Sequence, residues 1–150
     1  MINDSLKVIG HLDILLRDIN GTIKTKMSVP NLVVSTGKNA IAARLIGTTT
    51  PVMSHMAVGT DSGLILPLAT SNTTLGSQLG SRVALTSSTA LNNIVTYSAE
   101  FNVGVSTGAI VEAGIFNSLT AGSMLCRTIF PVINKEESDI LTINWNVTIS

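Results

Sequence analysis

The most constraining feature of the chain is its last ten residues. Leu141, Ile143, Trp145, Val147 and Ile149 alternate with Thr142, Asn144, Asn146 and Thr148. A strict period of two puts all the apolar side chains on one face of an extended strand, which a helix cannot do. The spacing therefore predicts a half-buried β-strand with Trp145 in the core. The strand ends at Ser150, and the expectation is a single domain over residues 1–150 with nothing following it.

A second local signal sits near the other end. Asn20-Gly21 marks a hairpin with a type I′ turn, in which both central residues take positive φ. Pairing outward sets Ile14 against Met27, Leu12 against Val29 and Leu16 against Thr25 on one face. The other face receives Asp13 with Ser28, Leu15 with Lys26, and Arg17 with Lys24, the last a like-charge conflict. Pro30, lacking an N–H, is expected to end this ladder. A short helix follows, capped by Ser35 or Thr36, with Ile41 and Leu45 one turn apart and Gly47 as its stop. Val52–Val58 reads as a strand ending at Gly59. Thr60–Thr74 reads as a long exposed loop, and Leu75–Leu79 as one helical turn. Arg82–Thr89, Ile94–Val103, Ile110–Phe116 and Ser123–Ile133 read as successive strands. Pro131 marks an edge position or strand end, and Lys135-Glu136-Glu137 a charged turn. The expected fold is mainly β: an antiparallel β-sandwich or open barrel with one short α-helix.

Composition narrows the function. Only 12% of the 150 residues are charged, against about 25% in typical soluble domains. A surface poor in Lys and Glu loses little hydration when it meets a partner, which suits an assembly protein. The formal net charge of +0 gives no basic stripe for nucleic acid. No apolar run approaches the ~18 residues of a membrane span. The N-terminus has no basic-then-apolar pattern, so no signal peptide is expected and the sequons at Asn72 and Asn146 carry little weight.

Candidate chemistry is sparse. His11 and His55 lack an orienting carboxylate at useful spacing, and two histidines with the single Cys126 do not make a zinc set. Cys126, between Leu125 and Arg127, reads as a small core hydrophobe. Gly76-Ser77-Gln78-Leu79-Gly80 lacks the Gly-Lys-Ser/Thr ending of a phosphate loop. No metal or cofactor is predicted. Glu112 stands out, because it interrupts the apolar run from Ile110 to Phe116. A charge there must be paired or solvated, and Arg82 and Arg127 are the expected partners. A structural ion pair fixing strand register is favoured over an acid at a site. Partner contacts are assigned to the long loop, through Asp61, Ser62, Leu64, Leu66 and Asn72.

The order of segments then carries a resemblance. Asn31-Leu32-Val33-Val34 before Gly37, Met53-Ser54-His55-Met56-Ala57-Val58-Gly59-Thr60, and Thr74-Leu75-Gly76 with Leu79 and Arg82 come in turn. Glu112-Ala113-Gly114-Ile115-Phe116-Asn117, Met124-Leu125-Cys126-Arg127, and Ile133-Asn134-Lys135 with the last strand follow. Together these resemble the bacteriophage tail-fibre and minor structural protein family, related in scheme to tail-collar fibre attachment domains. The chain departs from the family with Cys126 in place of alanine and Gln78 in place of glutamate, and no fibre shaft or receptor-binding tip is expected. The resemblance implies a non-enzymatic virion protein, assembled in the bacterial cytoplasm, that docks on a tail, neck or baseplate surface. It implies other virion proteins as partners and a homo-oligomer, with no nucleic acid or membrane involved. A capsid decoration protein clamping major capsid subunits is the alternative placement. A host-surface carbohydrate-binding module and a cell-wall hydrolase built on Glu112 are the rivals from other classes.

Overall fold

A computed structural model describes residues 4–150. Among them the chain forms β1 (Val8–Arg17), β2 (Ile23–Val33), α1 (Ser35–Leu45), β3 (His55–Gly59) and β4 (Val83–Ala84). It continues with β5 (Ser87–Leu91), β6 (Ile94–Phe101), β7 (Gly108–Phe116), β8 (Met124–Lys135) and β9 (Ile140–Ile149). The strands make one antiparallel sheet in the order β4-β3-β7-β8-β2-β1-β9-β6-β5. The sheet curls into an open barrel, so one apolar cluster takes residues from both halves, Ile14 and Trp145 from one and Val58 and Phe130 from the other. The fold is mainly β with one helix, as the alternating patterns predict.

The curl depends on strands that change partners. β2 pairs with β1 from Ile23 to Asn31 and then with β8 through Leu32 and Val33. The segment from Val83 does the same at the far side: β4 pairs with β3, Leu85 N–H donates to Ser54, and β5 pairs with β6. The expected strand Arg82–Thr89 is therefore two strands on two different neighbours. Strands that bend from one sheet to another form such corners.

β9 holds Leu141, Ile143, Trp145 and Val147 in the core, and Thr142, Asn144, Asn146 and Thr148 point away. The first hairpin has the expected register from Leu12↔Val29 to Leu16↔Thr25. Next to the turn it differs. Gly21 takes φ +87, whereas Asn20 is not left-handed. Asp18 accepts N–H bonds from Gly21 at its carbonyl and from Asn20 and Thr22 at its carboxylate. The result is a type I turn closed by a left-handed glycine rather than a type I′ turn. The ladder slips, Arg17 faces Ile23, and the like-charge pair disappears. Arg17 meets Glu100 at 3.4 Å and Lys24 reaches Asp139 at 2.7 Å.

Pro30 and Pro131 both sit within strands but where a strand loses a partner, as expected: the β1–β2 ladder ends one residue after Pro30, and at Pro131 β8 has β7 on one side only. Pro30 lies where β2 is about to exchange β1 for β8, and its carbonyl accepts the Thr128 hydroxyl. Pro131 lies in a bulge: Ile129 pairs with Glu112 and Ile133 with Ile110, leaving extra residues on β8. A bulge needs no ladder donor, so proline is tolerated there.

The helix is capped differently from the sequence expectation. Val34 occupies the N-cap and no side chain caps it. The loop carbonyl of Thr70 takes the Ser35 N–H, and the Thr36 hydroxyl is spent on the Met124 carbonyl. Gly47, at φ +73, ends the helix as expected, with bonds Gly47 N–H to Arg44 and Thr48 N–H to Ala43, the Schellman pattern. The helix packs by its small residues: a Cβ on Gly37 would lie 2.3 Å from the Leu125 carbonyl oxygen. Leu45 consequently stays 81% exposed.

Candidate functional site

The segment between β3 and β4 has no regular structure and lies across the outer face of β7 and β8. What holds it is an ionic centre on Arg127, whose side chain is fully buried. A guanidinium has five N–H donors, and here all are used. Nε and Nη2 bond Glu112 Oε2 at 3.1 and 2.8 Å, and Nη2 also meets Asp61 Oδ2 at 3.4 Å. Nη1 donates to Asn72 Oδ1 at 2.8 Å and to the Leu66 carbonyl at 2.9 Å. Strand register brings the pair together: Gly114 faces Arg127 across the ladder, and Glu112 is two residues away on the same side of β7.

The two carboxylates are equally occupied. Glu112 accepts the backbone N–H groups of Asp61, Gly76 and Ser77. Asp61 accepts those of Gly63, Ile65 and Leu66. The Ile65 N–H is foremost among the bonds that hold the Asp61 carboxyl below the usual range, against the opposing effect of burial. Asn72 completes the centre by accepting from Ala69 N–H and donating to the Pro67 carbonyl. The approach is so close that a Cβ on Gly76 would fall 1.8 Å from Asp61 Oδ2. The Gly76 and Ser77 donors are committed to Glu112, so the expected helical turn over Leu75–Leu79 does not form.

Of the residues expected to make an ion pair, the structure brings together Glu112 and Arg127. Arg82 is elsewhere: it stacks 3.6 Å from the Phe116 ring centroid and donates to the Ser118 and Ala121 carbonyls. Of the expected contact residues, Asp61 and Asn72 are buried in the centre, and Leu66 is half-buried with its carbonyl on Arg127. Ser62 and Leu64 face solvent, together with Ile65, which the sequence reading did not single out. The centre binds loop to sheet and leaves no carboxylate oxygen free for a substrate.

A second polar group does bring a carboxylate to a histidine. On the outer face of β1 and β2, His11 Nε2 lies 2.7 Å from Ser28 Oγ and 3.5 Å from Asp13, and Ser28 also donates to Asp13. A nucleophile–base–acid triad needs the acid on the other imidazole nitrogen. Here serine and aspartate share Nε2 on a flat, exposed sheet. The rest of that face, across β9, β6 and β5, is a field of Asn, Ser and Thr. Thr96 donates to Asn146 and Ser98 to Asn144.

Among the described residues, no set of three metal-ligating side chains comes together and no helix is long and apolar enough to cross a membrane. The five aromatic side chains are buried or half-buried, Trp145 and Phe101 completely. Cys126 is buried against the β2 end, and burial pushes its thiol up to about 12. Comparison with family models, curated proteins and solved structures finds no match.

Proposed function

We propose that this chain is a non-enzymatic virion structural protein that docks on a tail, neck or baseplate surface. The observation that carries the reading is the tip of the long loop. Leu64 and Ile65 are 91% and 71% exposed, yet the backbone on both sides of them is tied by Asp61 and Arg127. Exposed aliphatic side chains on a pre-ordered loop lose little entropy on binding, which is what an assembly contact needs. The low charge of the chain supports the same reading. An acid site on Glu112 is disfavoured because its oxygens are already fully bonded, and a glycan platform is disfavoured because no aromatic ring is exposed: four lie in or against the barrel core and Phe116 lies in a second buried cluster with Leu75 and Met124.

The experiment is cosedimentation of the purified protein with isolated phage tails and, separately, with empty capsid shells. Leu64→Asp and Ile65→Asp serve as loop-tip controls. Binding to tails that both substitutions weaken is the expected result. Binding to shells alone moves the protein to capsid decoration. Binding to neither, or binding indifferent to the loop tip, refutes the docking reading.

A further inference from the structure

From Val83 to Ala99 the chain carries no charged residue; Arg82 and Glu100 are the nearest. This stretch builds β5 and β6, the last strands at one border of the sheet. Among the described residues β5 pairs only with β6, and every one of its residues is exposed. A border strand presents a row of unpaired backbone N–H and C=O groups, and natural sheets normally guard it with lysine, proline, a bulge or a covering element. β5 has none of these. Its sequence is Ser87-Ser88-Thr89-Ala90-Leu91, and its register with β6 runs from Ser87↔Ser98 to Leu91↔Ile94 without a break. The opposite border, β4, is only two residues long, which is itself a guard.

We propose that β5 pairs antiparallel with the β5 of a second copy of this chain, about a two-fold axis at Thr89, so that two sheets become one. The second copy is favoured over an unrelated strand by charge. Two-fold pairing sets each side chain against a residue of the same short segment, so a charge on the axis would face its own copy and a charge off it would need an opposite one within the same five residues. A strand without charge escapes that penalty and offers a charged partner nothing to read. About Thr89, threonine faces threonine, a favourable cross-strand pair, while Ser87 faces Leu91 and Ser88 faces Ala90. Leu91, 76% exposed in the single chain, becomes covered. The contact is isologous and closes on itself, so it yields a dimer rather than a filament. It goes beyond the docking reading and uses a different surface from the Leu64–Ile65 loop tip.

Light scattering after size exclusion tests this without any virion component, so its failure and that of the docking reading are separable. The wild type should give twice the 15.7 kDa of one chain. Thr89→Lys and Thr89→Glu should each give a single-chain mass with unchanged circular dichroism, since Thr89 is exposed. An equimolar mixture of the two variants should return to the doubled mass. Thr89→Cys should form a covalent dimer on mild oxidation, which buried Cys126 does not. A monomeric wild type, a mass of three or more chains, an undiminished dimer in both charged variants, or a mixture that stays monomeric would each overturn the pairing.

Discussion

Replacing Arg127 with methionine tests whether the ionic centre is what holds the long loop to the sheet. Methionine fills much of the same volume but removes all five donors. Glu112 and Asp61 keep their backbone N–H bonds, yet two carboxylates then share one buried site with no cation. Breaking a buried pair by removing one partner costs about 3–5 kcal/mol, a large fraction of the roughly 5–15 kcal/mol that stabilises a domain. With a urea dependence of about 2 kcal/mol per molar, the unfolding midpoint should fall by roughly 2 M. Limited proteolysis of the folded variant should open new cuts between Asp61 and Leu79. Arg82→Ala is the comparison, because Arg82 binds the Ser118 and Ala121 carbonyls and the Phe116 ring instead; it should cost about 1–2 kcal/mol and leave the loop protected. A double-mutant cycle with Glu112→Gln should show a coupling of about 1–3 kcal/mol. An Arg127→Met midpoint within roughly 0.5 M of wild type, or additive effects in the cycle, would refute the assignment.

Gly76→Ala should destabilise by about 1–3 kcal/mol in the same urea assay, because the new methyl meets Asp61 Oδ2. Gly47→Ala, with open space around it but a left-handed backbone, should cost only about 1 kcal/mol, and equal effects would contradict the close approach. Asp61 and Asp139 both have folded carboxyl pKa values below the ordinary range, Asp139 chiefly through the Lys24 ammonium. Their stabilisation is thus present above the unfolded carboxylate range, about pH 4, and lost as pH falls through the depressed folded values. Urea midpoints measured from neutral pH downward should drop below that point, less steeply in Asp139→Asn; an unchanged slope would count against the pair. Lys24, raised by Asp139, gives stability that is full below about pH 10 and fades as pH rises through its folded value. Cys126 should resist a thiol reagent at pH 8 in the folded protein and react once urea unfolds it, and rapid labelling of native protein would show its burial to be wrong.

What could be read from the sequence was local. β9 and the hairpin from Leu12 to Met27 announce themselves by period-two alternation, which needs no knowledge of distant residues. The reading slipped at the turn and where a distant partner intervened. Lys24 leaves Arg17 because the Asp18 turn shifts the ladder beside it, and its ammonium is then taken by Asp139, more than a hundred residues away in sequence. The charge at Glu112 was conspicuous in its apolar strand, but the choice between Arg82 and Arg127 depends on strand register, which no local pattern reveals. Asp61 and Asn72 read as surface contacts because polar residues in an irregular stretch usually face water. One signal pointed the other way. Asp61 with Gly63 two residues on is an Asx-turn pattern, and such a carboxylate gathers backbone donors around itself.

That pattern explains why a long irregular segment can lie packed on a sheet in a chain with so few charges. A buried loop fails unless its backbone N–H groups find acceptors. Helix and strand supply them by repetition, and the stretch from Thr60 to Leu79 has neither. Glu112 and Asp61 supply them instead, three N–H groups each, and Arg127 offsets their charge while taking up the Leu66 carbonyl and Asn72. The scarce buried charges thus replace the missing ladder. Neutralising Glu112 should release the loop as a unit while the barrel, whose core lies on the other face of β7, stays folded. Hydrogen exchange on Glu112→Gln should show faster exchange at Gly76 and Ser77 and unchanged exchange along β9. Uniform loss of protection in both would mean that loop and barrel form a single cooperative unit.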